Sequence, residues 1–133
     1  MQVVDCGNGG LFFVYGYRGT GKTFLWKTLS ASIRCKGDIV LNVASSGIAS
    51  LLRLMCHIKP DDQVADLLRK TKLIIWDEAP MIHRHAFEAL DRTMKDIFKS
   101  DDSVNSDMSF GGKVMVLGGD FRQILPVKPN GSR

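Results

Sequence analysis

Four short apolar runs divide the chain: Leu11-Phe12-Phe13-Val14-Tyr15, Asp38-Ile39-Val40-Leu41-Asn42-Val43, Leu73-Ile74-Ile75-Trp76 and Lys113-Val114-Met115-Val116-Leu117. Each has the length of a strand and ends at glycine or polar residues, which predicts buried strands starting after residues 10, 37, 72 and 112. Helical patterns separate them. Thr23-Phe24-Leu25-Trp26-Lys27-Thr28-Leu29 opens a helix that ends near Cys35-Lys36-Gly37, with the glycine in a C-terminal cap. Ser45 and Ser46 can cap a second helix from Ile48 to about Met55. Gln63 to Lys70 places apolar groups at i, i+3 and i+4, as a short helix packed on a sheet does. From His85 to about Lys99, Phe87, Leu90, Met94, Ile97 and Phe98 share one face, while Glu88 with Arg92 and Asp91 with Lys95 form i,i+4 pairs on the other. Ser100 to Ser109 is a polar, acidic solvent loop. The alternation of strand and helix predicts an α/β fold in three layers, with helices on both faces of a mainly parallel sheet.

At 133 residues the chain fits one domain with a real core. A hydrophobic content of 44% against 24% charged residues is ordinary globular composition. The net charge of +4 permits contact with a polyanion without demonstrating it. Cys6, Cys35 and Cys56 are odd in number and widely spaced, which points away from a disulfide framework and towards a reducing compartment. His83 and His85 form H-x-H with no cysteine pair or third histidine nearby and are expected at the surface. The N-terminus lacks the pattern of a signal peptide, and no apolar run approaches the ~18 residues of a membrane span.

The candidate chemistry lies where strands end. Gly16-Tyr17-Arg18-Gly19-Thr20-Gly21-Lys22-Thr23 follows the first strand and opens the first helix, spelling G-x-x-x-x-G-K-[ST] in the order a nucleoside-triphosphate cradle requires. Its glycines allow positive φ and turn amide N–H groups towards phosphate oxygens at the positive end of the helix dipole. Lys22 then reaches the β- and γ-phosphates, and the Thr23 hydroxyl ligates Mg²⁺.

The third strand runs into Asp77-Glu78-Ala79-Pro80, where two adjacent carboxylates behind an apolar strand need a counter-charge. A Mg²⁺-bound nucleotide supplies one: Asp77 holds the metal through its water shell, and Glu78 orients and deprotonates an attacking water. The fourth strand ends in Gly118-Gly119-Asp120-Phe121-Arg122-Gln123. Gln123 can donate to the γ-phosphate or hold the catalytic water, and Asp120 can support the metal shell or cap a turn. The run Val43-Ala44-Ser45-Ser46-Gly47 fits a contact to nucleic-acid phosphate and simple helix capping equally well.

Together, GYRGTGKT, LIIWDEAP and GGDFRQILPV resemble the first three nucleotide-handling motifs of the Pif-type DNA helicases of superfamily one, and VASSGIASLL resembles the extra motif between the first two. The resemblance covers almost the whole chain and is greatest to the version found in large numbers in plant genomes, alongside or within rolling-circle transposons. It implies a RecA-like P-loop domain of an ATP-driven motor that moves 5′-to-3′ on single-stranded DNA in the nucleus and serves DNA repair, recombination and telomere maintenance. By position, Gly16, Gly19, Thr20, Gly21, Lys22 and Thr23 match its phosphate cradle, Asp77 and Glu78 its metal-binding and catalytic-base acids, and Gln123 its γ-phosphate sensor. The implied partners are ATP, Mg²⁺ and single-stranded DNA.

The resemblance also sets expectations about what is missing. Only Met1 to Gly10 stands where the family carries a glutamine-bearing adenine-recognition segment, and Gln2 is isolated there. Arg53 to Asp62 bridges a stretch that is longer in the family, as an internal deletion would. The second RecA-like lobe with its arginine finger does not follow within residues 1–133. The expectation is therefore a truncated first lobe that does not unwind DNA alone; the alternative is an inactive remnant that at most binds nucleotide or DNA.

Overall fold

All four expected strands form: β1 (Gly10–Tyr15), β2 (Ile39–Ala44), β3 (Thr71–Asp77) and β4 (Val114–Gly119). The computed structural model describes residues 9–17, 19–44, 62–99 and 108–123. Gln2, the Ser45-Ser46 cap, the helix expected from Ile48, most of the Arg53–Asp62 bridge and residues 100–107 of the polar loop lie outside them. The strands make one parallel sheet in the order β1-β4-β3-β2. Phe12 and Ile75 both register with Val116, and a shift between Ile39 and Val40 adjusts the far edge.

Because successive side chains on a strand point to opposite faces, each inner strand feeds two cores. Leu73 and Ile75 of β3 and Val114 and Val116 of β4 pack with Val40 against Trp26 and Ile33 of helix α1 (Lys22–Arg34). Ile74, Trp76 and Met115 point the other way. They pack on Ala65 and Leu68 of α2 (Gln63–Lys70) and on Leu90, Met94, Ile97 and Phe98 of α3 (Arg84–Phe98). The result is the expected three-layer α/β arrangement, a P-loop NTPase fold.

Helix boundaries follow local chemistry. Asp62 caps α2 by accepting from the Gln63 N–H. After α1, Gly37 adopts φ 83°, and its N–H donates to the Arg34 carbonyl. His83 is the N-cap of α3, its ring nitrogen accepting from the His85 N–H at 3.4 Å, so the H-x-H pair begins a helix at the surface. One expected ion pair is replaced: Glu88 bonds Arg84 at 3.4 Å and His85 at 3.1 Å in the first turn rather than Arg92. The backward neighbours draw the carboxylate towards the positive end of the helix.

Asp91 forms its expected pair with Lys95 at 2.8 Å and also accepts from the Phe110 N–H at 2.6 Å. Burial pushes the Asp91 carboxyl up, but the Lys95 ammonium and the Phe110 amide outweigh it and hold it below the usual range. The hydrogen bond fixes a left-handed turn, Phe110-Gly111-Gly112, that aims the chain into β4. Only glycine fits at 111, since a Cβ there would lie 2.2 Å from the Phe98 ring.

Candidate nucleotide site

A parallel sheet brings every strand's carboxyl end to one edge, where ligands of such folds sit. The glycine loop leaves β1 there and is tied to β4 by a Gly16 N–H to Gly119 carbonyl bond of 3.1 Å. Thr20 closes the loop on itself: its N–H and hydroxyl both donate to the Tyr17 carbonyl, at 3.2 and 2.7 Å. A Cβ on Gly16 would fall 2.6 Å from that hydroxyl. Gly16 and Thr20 therefore shape the cradle without lining it.

Gly19 and Gly21 hold φ near 88° and 85°, a turn that L side chains resist. Gly21 is the N-cap of α1 and offers no side-chain acceptor to the first turn. The N–H groups opening that helix are thus left for an external anion, at the positive end of the dipole. The Lys22 ammonium curls over the loop and donates to the carbonyls of Gly16 and Tyr17.

The acid pair faces this cradle. Asp77 ends β3, and its carboxylate accepts from the Glu78 N–H at 2.9 Å. Glu78 sits at φ 55°, a left-handed conformation uncommon for a residue with a Cβ. Such strain costs about 1–3 kcal/mol and clusters at functional sites. The turn is stabilised behind it by a Met81 N–H to Glu78 carbonyl bond of 3.1 Å.

From β4, Asp120 reaches the same edge almost wholly buried, its carboxylate accepting from the Arg122 N–H at 2.9 Å. Of its two expected roles, the turn cap is formed. Gln123 closes the 3-10 turn Phe121–Gln123, but the described residues include no side chain for it, so its sensor role stays a matter of sequence.

One cleft of about 790 Å³ unites these parts. Its lining brings together Gly19, Gly21, Lys22 and Thr23 of the cradle, Asp77 and Glu78 after β3, and Gly119 and Asp120 after β4. Thr23 and Asp77 thus line one cavity with room for a phosphate chain. Hard oxygen donors, few in number, are what Mg²⁺ takes from a protein when phosphates and water complete its shell, so the residues fit that ion. No helix among the described residues is long and apolar enough to cross a membrane.

Sequence reasoning missed two features. Tyr17 lines the cleft, and the Arg122 guanidinium lies over its ring at 5.9 Å, a cation–π contact between the first and third motifs. Met81, largely exposed, forms part of the rim. Both are loop residues brought close by the sheet, and no periodicity announces them.

The profile of the PIF1-like helicase family matches residues 1–54 and 52–133. The ATP-dependent DNA helicase PIF1 of Trypanosoma brucei brucei is 31% identical over 129 residues, an alignment covering 87% of this chain and 13% of that protein. A crystal structure of Pif1 helicase from Candida albicans superposes with TM-score 0.71 at 27% identity, covering 96% of this chain and 32% of that one. Pif1 helicase from Bacteroides in complex with ADP-AlF3 and single-stranded DNA gives TM-score 0.67 at 26% identity, covering 98% and 32%. The chain thus spans between an eighth and a third of the relatives it matches. A family profile that runs along its whole length makes this chain a member of the PIF1-like helicases.

Proposed function

We propose that the chain is the ATP-binding first RecA-like lobe of a 5′-to-3′ DNA helicase. The observation that carries the proposal is the single cleft uniting the Gly19–Thr23 cradle, the Asp77-Glu78 acids and the Asp120 turn. In it the loop amides and the α1 N-terminus bind the phosphate chain, and Lys22 exchanges its loop carbonyls for the β- and γ-phosphates. Thr23 and Asp77 hold Mg²⁺, which when bound neutralises charge developing on the transferred phosphoryl group. Glu78 orients a water and takes its proton, while Gln123 monitors the γ-phosphate.

The wider proposal is that the parent motor couples this site to movement on single-stranded DNA in the nucleus, in repair, recombination and telomere maintenance. Complexes such as the Bacteroides one with ADP-AlF3 and single-stranded DNA support the choice of ligands. We further propose that residues 1–133 form a partial lobe, with a deletion near 53–62. A family match in two segments that meet at 52–54 supports this. An arginine finger contributes about 10³–10⁵ in rate, so residues 1–133 tested without one should turn Mg²⁺-ATP over slowly. The second reading is a nucleotide-binding remnant without turnover.

The test is equilibrium binding of a fluorescent ATP analogue with Mg²⁺, with and without single-stranded DNA, comparing the native chain with Lys22→Ala. Loss of charge-assisted bonds worth about 1.5–3 kcal/mol predicts roughly 10- to 100-fold weaker binding for the variant. Equal affinities would reject the site. Binding without hydrolysis, unchanged by DNA, would favour the second reading.

A further inference from the structure

Phe13 and Tyr15, on one face of β1, both stack on Phe121, with ring centroids 4.9 and 6.1 Å apart and planes 23° and 16° from parallel. Two residues further along, Tyr17 meets the next residue of the same turn, the Arg122 guanidinium lying 5.9 Å from its ring centroid. Aromatic side chains at 13, 15 and 17 thus hold the turn Phe121–Gln123 from the strand and from the glycine loop at once.

Both ends of the Tyr17–Arg122 contact are anchored. The Tyr17 carbonyl accepts from the Thr20 N–H at 3.2 Å and from the Thr20 hydroxyl at 2.7 Å, so its ring leaves a closed loop. The Arg122 N–H donates to the buried Asp120 carboxylate at 2.9 Å. Tyr17 and Asp120 line the nucleotide cleft, and Arg122 touches each of them without lining it itself. The backbone joins the two motifs at Gly16 and Gly119, and the ring and guanidinium carry that tie past Asp120 into the turn. Gln123 is the next residue, one peptide of fixed length beyond Arg122.

We propose that Tyr17 and Arg122 are a positioning pair that holds the third motif at a set distance from the phosphate cradle and so makes the site prefer a nucleoside triphosphate to a diphosphate. This rests on the nucleotide-site reading above, in which Gln123 monitors the γ-phosphate. ATP and ADP differ by that group, so a loosened turn weakens ATP and spares ADP, which the loop amides and Lys22 still hold. The Phe121 stack keeps the turn folded when the pair is broken. Cation–π contacts are weak where water reaches them, and the Tyr17 ring is 56% exposed, so the expected effect is about 2- to 5-fold.

The test is equilibrium titration of the 133-residue chain with fluorescent ATP and ADP analogues and Mg²⁺, with far-UV circular dichroism confirming fold. The variants are Lys22→Ala, Tyr17→Phe, Tyr17→Leu, Arg122→Ala and the double variant Tyr17→Leu/Arg122→Ala. Tyr17→Leu and Arg122→Ala should each lower ATP affinity about 2- to 5-fold and leave ADP affinity unchanged. The double variant should lose no more than either single one, and Tyr17→Phe, which keeps the ring face, should match the native chain. Equal losses for ATP and ADP, or no loss in the single variants, overturn the proposal. So do losses that multiply in the double variant, as a simple charge effect of Arg122 gives, and a loss confined to Tyr17→Leu, as direct contact of the ring with nucleotide gives. Where Lys22→Ala still weakens binding, those outcomes leave the nucleotide site standing. Equal binding by Lys22→Ala would overturn that site, and the role of the pair with it.

Discussion

Gly119 lies against the ring of Pro80 so closely that a Cβ on it would come within 2.2 Å of Pro80 Cδ. Its neighbour Gly118 lies equally close to the Trp26 indole on the opposite face. The tip of β4 is therefore clamped between α1 and the turn that carries Glu78, and the two glycines set how near the acid pair comes to the cradle.

Gly119→Ala should force the Pro80 turn outward. Overpacking of this kind costs about 1–3 kcal/mol, so the urea midpoint falls, and nucleotide affinity falls with it because Gly119 lines the cleft. A variant as stable as the native chain, with unaltered analogue binding, would show that the contact yields freely.

At Glu78, fold and chemistry pull in opposite directions. Glu78→Gly removes the left-handed strain and should raise stability by about 1 kcal/mol in denaturant titration. The same change removes the general base and should lower single-turnover hydrolysis by roughly 10²–10⁴-fold with binding retained. Unchanged turnover would remove Glu78 from the mechanism.

Asp91 makes the chain acid-sensitive. Its folded carboxyl titrates below the unfolded reference value of 3.8, so its contribution is fully present above that reference and disappears as pH falls through the lower folded value. Asp91→Ala should cost about 1–3 kcal/mol near neutral pH by stranding the Phe110 N–H, and the loss should shrink in acid. Chemical denaturation at several pH values checks both parts; a pH-independent difference would contradict the assignment.

Lys113 ties strand to helix, its ammonium donating to the carbonyls of Arg69 at 2.6 Å and Thr71 at 2.9 Å. Lys113→Met keeps the aliphatic stem but leaves those acceptors short, and should lower stability by about 1–3 kcal/mol without changing nucleotide affinity. Weakened binding at unchanged stability would point to a role at the cleft instead.

Much of this molecule is legible in its sequence, because short-range chemistry dictates it. Apolar runs of strand length gave β1 to β4, and the stripe from Phe87 to Phe98 gave α3, since burial imposes those periods. The cradle was readable because backbone turns with φ near 88° and 85° need glycines at fixed spacing. Tertiary structure alone decided the rest. The order β1-β4-β3-β2 depends on packing between segments far apart in sequence, and it places Asp77, Lys22 and Asp120 around one cavity. It also put Arg122 over Tyr17, turned Glu88 back to Arg84, and left the apolar β1 at an edge. A periodic pattern says that a side chain is buried or exposed on its own element; which partner it meets is fixed only when the sheet assembles.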